Sequence, residues 1–568
     1  MPAIPDLHAL TPALTAPLTP ALIPALIPAL IPALTPRQAA ALIPDGATVA
    51  SAGFVGMGHA EAVTRAIEAR FLATGQPRNL TLLYAAGQGD RALRGVNHFG
   101  HAGLLQRVIG GHWISAPRLG QLVLQDAIEA WNLPQGVIAH LYRAIAGGKP
   151  GVVTKIGLHT FVDPLHDGGR LTPRTARSAI EPRVQRVTLG GELQLFYPSL
   201  PIHVALLRAT SADTLGNLST EEEPFHHDLL AIAQAAHNSG GMVIAQIKRI
   251  VPAGTLDPNR VRVPGILVDH LVMADDPQDH WMTFGADFDP RFTSAPASRP
   301  LVDEAAVAVA VVAATTPPLD ARSIILRRAA LELHKLTAAA ATAGLRRPVV
   351  NLGVGMPAGL GAVAQQEGIG GFVLTVESGP IGGTPADGPC FGAAAWPEAV
   401  IDHAAMFDFY DGGGLDIAFL GLAEFDPQGD VNVSRFGSKV SGVGGFINIS
   451  QTARRVVFMG TLTNDGLQVA SRAGQLRIVQ EGRTKKLVPK VGHLSFCGAY
   501  VAGLGRELLY LTERAVFRLI DGQLTLTEIA PGLDLQRDVL DALGAPVLVA
   551  ADLQLMDARI FRDGLMLG

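Results

Sequence analysis

The chain carries one local pattern twice, and this repetition restricts its possible folds more than any other feature. TVASAGF reads as a buried strand and leads into Gly53-Phe-Val-Gly56-Met57-Gly58-His-Ala60, which opens the helical stretch EAVTRAIEARFL. PVVNLGVGMPAGLGAVAQQ repeats that succession as strand, glycine turn (Gly353-Val-Gly355-Met356-Pro-Ala358) and helix. The strands that follow also correspond: NLTLLYAAGQG ends in Ala86-Gly87, and GFVLTVESGPIGG ends in Ser378-Gly379. A third echo pairs Asp213-x-x-Gly216-Asn217-Leu218 with Asp426-x-x-Gly429-Asp430-Val431, each after an apolar strand (HVALLRA, DIAFLGL). The expected fold is two tandem homologous α/β domains with largely parallel sheets, whose ligands gather at the carboxyl ends of strands. The offset between copies is 292 at the second echo (378 minus 86) and 213 at the third (426 minus 213). The first copy therefore holds about 80 extra residues between those points, too many for an ordinary connection.

The flanks are of another kind. Between Thr11 and Pro36 a four-residue unit, LTPA or LIPA, recurs, with proline at 20, 24, 28, 32 and 36. A helix cannot hold proline at that spacing, so the stretch is no transmembrane span. It has no basic start either, its first charged residue being Asp6, which argues against a secretory signal. An irregular or polyproline-like extension is expected over residues 1–36, with a misassigned start as an equally plain explanation. The domains are expected at 37–292 and 321–568, joined by an Ala- and Pro-rich linker over 293–320. With 17% charged residues and a net charge of −5, the 568-residue chain lacks the footprint of a nucleic-acid or anionic-membrane binder. Two distant cysteines, Cys390 and Cys497, fit a reducing cytoplasm and offer no disulfide framework or CxxC metal site.

The duplication isolates one residue. Where the second copy has Val376-Glu377-Ser378-Gly379, the first has Tyr84-Ala85-Ala86-Gly87. A carboxylate that supported the fold would be expected in both. Gly353-x-Gly355-x-x-Ala358, with Glu377 24 residues after the first glycine, allows a dinucleotide reading in which Glu377 holds a ribose. Against it stand the different glycine spacing in the first copy, Pro357 in the loop, and a second glycine-rich run after Glu377. The alternative makes Glu377 a nucleophile: a glutamate of ordinary pKa, about 4.3, is ionised at neutral pH and needs no base partner. Gly442-Val-Gly444-Gly445-Phe446 then offers clustered amides for an oxyanion. A plain surface or capping glutamate is the third possibility. Four lesser clusters remain. His98-x-x-His101 with His112 could suggest a metal, but no Cys or acidic ligand accompanies them at a known spacing. Glu221-Glu-Glu223 with His226-His227-Asp228 reads as a solvated helix start. Cys390 could be a thiolate nucleophile, and Lys248-Arg249 could meet phosphates.

VESGPIGG, FDFYDGGGLDIAFLGLAEFDPQGDVNVSRFG and GVGGFINIS resemble the second domain of the family I coenzyme A-transferases, and GFVGMGHAEA, LPQG and IKRIVPAGTLDP resemble the first. The likeness runs from about Arg37 to about Leu555, and is nearest to the fused acyl-CoA:acetate or 3-oxoacid enzymes. It implies transfer of CoA between short-chain acyl-CoA and free acids such as acetate, propionate, butyrate or acetoacetate, in fatty-acid or ketone-body metabolism. By this likeness Glu377 forms a glutamyl-CoA thioester, and Gly445 and Phe446 present backbone amides to the thioester oxygen. Asn351 is an active-site amide, and Gln135 reaches the catalytic carboxylate from the first domain. Gly442, Gly444, Gly445 and Asn432 are expected to contact CoA. No metal or other cofactor is implied; acyl-CoA and carboxylates are the partners, and a cytoplasmic homo-oligomer is expected. A catalytically inactive acyl-CoA-binding protein is the non-enzyme alternative. Relatives specific for 3-oxoacids carry Asn-Asn where this chain has Ala85-Ala86, and a lysine after the nucleophile that has no clear equivalent here. Both departures favour small plain acids.

Overall fold

The computed structural model describes residues 31, 33–178, 184–298, 319–437 and 439–567. In the first half eight strands lie parallel in one sheet. Their order is Ala33–Leu34, His270–Met273, Met242–Val251, Val204–Asp213, Thr48–Ser51, Leu80–Tyr84, Leu105–Gly110 and Glu129–Asn132. Parallel strands covered on both faces need near-continuous apolar runs, and Val204–Asp213 and Leu80–Tyr84 are buried along their whole lengths.

The second sheet repeats the middle of the first. Five parallel strands, Val373–Thr375, Val349–Leu352, Ile417–Gly421, Arg455–Met459 and Glu507–Leu511, follow one another. They stand in the order of Leu80–Tyr84, Thr48–Ser51, Val204–Asp213, Met242–Val251 and His270–Met273. The halves diverge at both edges. Beyond Leu80–Tyr84 the first continues with two more parallel strands, whereas beyond Val373–Thr375 the second turns back into antiparallel Pro380–Ile381 and Ala399–Val400. The first half's extra residues build those two strands, the helix Gln135–Ala146, and an antiparallel sheet of Gly151–Thr154, Glu192–Pro198 and Gln185–Leu189.

That inserted helix joins the halves. Gln135–Ala146 follows Pro134, which has no N–H to leave unpaired at the helix start, and it buries Val137, Ile138, Leu141 and Tyr142 in the first core. Its outer face meets the second-half helix His403–Asp411 so closely at Gly136 that a methyl there would strike the Phe407 ring.

The structured chain begins earlier than the proline pattern suggests. Ala33–Leu34 pairs with Leu271 and Val272, and the Ile31 N–H donates to the Thr214 carbonyl. Thr35 closes a capping box on the helix Pro36–Ala41, accepting from the Gln38 N–H while the Gln38 side chain accepts from its own. The repeat's last proline is thus the first helical residue, where its missing N–H is harmless. The expected boundary after residue 36 therefore moves back to Ile31; the rest of the repeat lies outside the described residues. So do residues 299–318 of the expected linker, after which Asp320 caps the helix Ala321–Thr342. Among the described residues no helix is long and apolar enough to cross a membrane.

Candidate active site

Glu377 stands two residues beyond the carboxyl end of the strand Val373–Thr375. The chain reverses there: Gly379 N–H donates to the Val376 carbonyl and Val376 N–H to that of Pro380. Gly379 has φ 135°, and a side chain on it would strike the Ile401 carbonyl, so only glycine closes this turn. The Ser378 hydroxyl donates to the Gly392 carbonyl and pins the turn's other side. Glu377 is left at the tip, facing a cavity of about 1860 Å³ walled by both halves. That volume exceeds the usual small-ligand site and suits an extended thioester better than a small acid alone.

Burial raises the pKa of the Glu377 carboxyl above the ordinary glutamate value; its own backbone N–H, the neighbouring His403 and the Asn351 amide oppose the rise. The expectation of an unperturbed carboxylate is corrected accordingly: less water solvates this anion than one at the surface. Asn351, buried at the end of Val349–Leu352, donates weakly to the Thr375 carbonyl (3.3 Å) and keeps its Oδ1 without a protein partner among the described residues. The Tyr410 hydroxyl donates to Thr375 Oγ1 below it (2.9 Å).

The glycine loop reaches the site by docking on the first half. Trp113 N–H donates to the Ser441 carbonyl, Gly444 N–H to that of Gly111, and Gln135 N–H to that of Gly444. The Val443 N–H donates to Asn132 Oδ1. At Gly442 φ is 72°, and a methyl group would lie 2.6 Å from Trp113 Cδ1, so the contact demands glycine. The docking uses most of the loop's donors: Gly442 N–H is taken by Ser434, Gly444 by Gly111 and Phe446 by Val443. Gly445 N–H alone in the loop takes no protein acceptor among the described residues.

Gln135, Asn351, Glu377, Gly442, Gly444, Gly445 and Phe446 therefore line one cavity. Gln135 comes to it bonded to His403 (2.9 Å) rather than to Glu377. Asn432 is a correction. It is buried and does not line the cavity; its Nδ2 donates to Glu424 and Arg435, and its Oδ1 accepts from the Ser434 and Arg435 N–H groups. Its amide shapes the turn before the glycine loop and is not free for CoA.

The lesser clusters separate. His98 and His101 both bind Glu68, and His98 also Glu61, whereas His112 lies in the cavity wall, held to a pKa of about 4 by burial and by Arg91. Among the described residues no group of side chains has the makings of a metal site. Glu223 is no part of a solvated helix start. It is buried against Arg208 (2.7 Å), which with His227 holds it near pKa 2 despite its burial. Lys248 and Arg249 are taken by Glu221, Glu222 and Asp287. Cys390 lines the cavity, but burial pushes its thiol pKa up, away from thiolate. Sequence reasoning missed Arg91, Arg291 and Arg322 in the wall, the last donating to the Gly355 carbonyl (3.1 Å). Arg291 and Arg322 are far in sequence from any motif, and Arg91, two residues past NLTLLYAAGQG, has no spacing that marks it.

The profile described as Coenzyme A transferase matches residues 33–274. The chain is 42% identical to the caffeate CoA-transferase of Acetobacterium woodii, over 93% of this chain and 97% of that one. It is 40% identical to the acetate CoA-transferase YdiF of Escherichia coli K12, over 93% and 95% respectively. The crystal structure of the acyl-CoA transferase YdiF apoenzyme from Escherichia coli O157:H7 superposes with a TM-score of 0.85 at 37% identity, over 95% of this chain and 98% of that one. The same enzyme's thioester complex with CoA superposes with a TM-score of 0.84. Identity at this level, end to end with enzymes that carry out one type of reaction, makes the chain a member of the coenzyme A transferase family and a CoA-transferase.

Proposed function

We propose that the protein moves CoA between short-chain acyl-CoA thioesters and free carboxylates through a thioester on Glu377. A Glu377 oxygen attacks the acyl carbonyl carbon, the carbon–sulfur bond breaks, and CoA leaves as thiolate from a mixed anhydride. The thiolate then attacks the Glu377 carboxyl carbon and displaces the first acid as its carboxylate. A second acid reverses both steps, so no proton, electron or further cofactor has to enter. Anhydride and thioester both keep the activation that a serine ester would dissipate. Each addition puts negative charge on an oxygen, and one well-aimed donor there is worth about 3–4 kcal/mol. The observation that carries the reading is the pairing of a buried carboxylate at a strand-end turn with a Gly445 N–H that has no protein acceptor among the described residues, both residues lining one cavity of about 1860 Å³. Arg91 and Arg322, in the same wall, supply cations for the phosphates of CoA, whereas Arg291 is paired with Asp289. The nucleotide end does not react, so its binding energy is free to position the carbonyl.

Ala85 and Ala86, both buried, give the first-half strand end no polar group for a keto oxygen, which favours acetate or propionate over a 3-oxoacid. The relatives' names include acetate as well as the aromatic acid caffeate. The same reading divides the chain at residues 293–320 and takes it as a cytoplasmic homo-oligomer, its free cysteines suiting a reducing compartment.

The deciding experiment is intact-protein mass spectrometry after adding acetyl-CoA without acceptor. Acetate should be released and the mass should rise by CoA minus water, mapping to the peptide with Val376-Glu377-Ser378. Borohydride should reduce that side chain to an alcohol, and steady-state kinetics should be ping-pong. An adduct on Cys390 would replace the glutamyl mechanism with a cysteine-based one.

A further inference from the structure

A hydrogen-bonded chain of three side chains crosses the interface twice. Asp228 stands at the N-cap of the first-half helix Leu229–Asn238, where an aspartate normally accepts a backbone N–H of the first turn. Here it makes no such bond. Its φ of 61° and that of His227, 51°, are conformations non-glycine residues rarely hold, and they persist at functional sites when the surroundings enforce them. The carboxylate turns instead to the second half and accepts from His403 Nδ1 (2.6 Å), its one hydrogen bond among the described residues. His403 is the first residue of the helix His403–Asp411, and its ring is buried edge-on to Phe54 and Phe407. Its other nitrogen, Nε2, meets the Gln135 Nε2 of the first half (2.9 Å).

The donors and acceptors fit one arrangement. Asp228 can only accept, so Nδ1 carries the proton; in the neutral ring Nε2 then presents a lone pair, and the Gln135 NH₂ turns toward it. Gln135 also donates its backbone N–H to the Gly444 carbonyl, next to the unpartnered Gly445 amide. Without Asp228 the ring is free to take its other tautomer. Nε2 would then donate, and the Gln135 amide would turn over, placing a carbonyl where an NH₂ had been.

We propose that Asp228 and His403 are a positioning pair that fixes the Gln135 amide, and with it the Gly444–Gly445 loop, against Glu377. The pair rests on the glutamyl reading given above. It acts on geometry after the substrate has bound, so it bears on kcat rather than KM.

The test is a double-mutant cycle on transfer from acetyl-CoA, with kcat and KM read separately. His403→Ala and Gln135→Ala should each lower kcat by about tenfold or more, with KM for acetyl-CoA within about twofold. The double variant should be within about twofold of the slower single, because both remove one device. Asp228→Asn keeps side-chain volume and serves if His403→Ala does not fold; it should also lower kcat about tenfold, since an amide no longer dictates the tautomer. Fold losses that multiply in the double variant, a rise in KM at constant kcat, or wild-type kcat in Asp228→Asn would overturn the pair. Mapping the CoA adduct in the wild type reports on the nucleophile alone. An adduct away from Glu377 with a non-additive cycle would sink the glutamyl reading and leave the pair standing, and the reverse combination would do the opposite.

Discussion

The two halves share five parallel strands in one order, yet the same strand end is alanine in one and Glu377 in the other. Ala85 lies inside the first core, with the chain at Gly111 packed so tightly on its carbonyl that no side chain fits there. Glu377 occupies the corresponding turn with the cavity before it. The halves share one scaffold, and the additional stretch of the first makes that half a clamp. Gly111, Trp113, Asn132 and Gln135, all contributed by the inserted stretch, hold the glycine loop of the second half in place. Neither half contains a complete site.

The sharpest challenge to this division is at Glu377. Glu377→Ala should abolish transfer while the protein stays folded, since a turn tip can lose a side chain at little expense to stability. Glu377→Asp should lose about a hundredfold or more in kcat, because one methylene withdraws the carboxylate by roughly 1 Å. Transfer restored to Glu377→Ala by Ala85→Glu would break the assignment of chemistry to one half.

The clamp is tested next. Gly442→Ala puts a methyl group against Trp113 Cδ1 and the Gly111 carbonyl, at a φ of 72° that alanine resists. Relieving it means lifting the loop, and with it the Gly445 amide. A fall in kcat of about ten- to a hundredfold is expected, by analogy with losing one oxyanion donor, with KM changing less. Wild-type kcat in this variant would separate the docking from catalysis.

A smaller effect sharpens the electrostatics. Glu377 must be ionised to attack, and its burial raises its pKa above 4.5. The acid limb of kcat/KM should therefore lie above pH 4.5, the carboxylate being lost as pH falls through the raised value. The same shift sets a stability trend: folding favours the protonated form, so this term is fully present below the unfolded pKa and is lost as pH rises through the folded one. Glu377→Gln should unfold at a higher temperature than wild type at pH 7, by about 1–3 °C, and the gap should close below about pH 4.

What could be read from the sequence follows from locality. The glycine turns, the apolar strands and the missing twin of Glu377 are each contained in a short window, so periodicity and comparison of the copies reveal them. Asp228 and His403 are 175 residues apart and lie in different halves. Each has a local reading, helix cap or helix start, that hides the long-range one. Glu223 misleads for the same reason: it is buried against Arg208, a strand residue with no local tie to it. Asn432 sits within a motif of the resembled family, but its amide is consumed by the turn that contains it. Motif membership locates a segment and does not say which of its side chains face the substrate.

The smallest effect on activity is expected at the other end of the first sheet. Ala33–Leu34 is the edge strand, separated from Leu80–Tyr84, next to the clamp strands, by the four strands from His270–Met273 to Thr48–Ser51. Removing residues 2–30 leaves the Ile31 bond to Thr214, the edge strand and the Thr35 capping box intact. Turnover should stay within about threefold, a barrier change well under 1 kcal/mol. Removing residues 2–35 takes the edge strand and the cap as well. The lost cap alone costs about 1 kcal/mol, so the unfolding temperature should fall by a few degrees, while kcat per folded enzyme stays within the same limit. The two truncations separate the strand that closes the sheet from the residues before it. A loss of kcat in the shorter deletion, with the fold intact, would show that residues before Ile31 serve the active site, and the first half would then contribute to catalysis through more than its clamp.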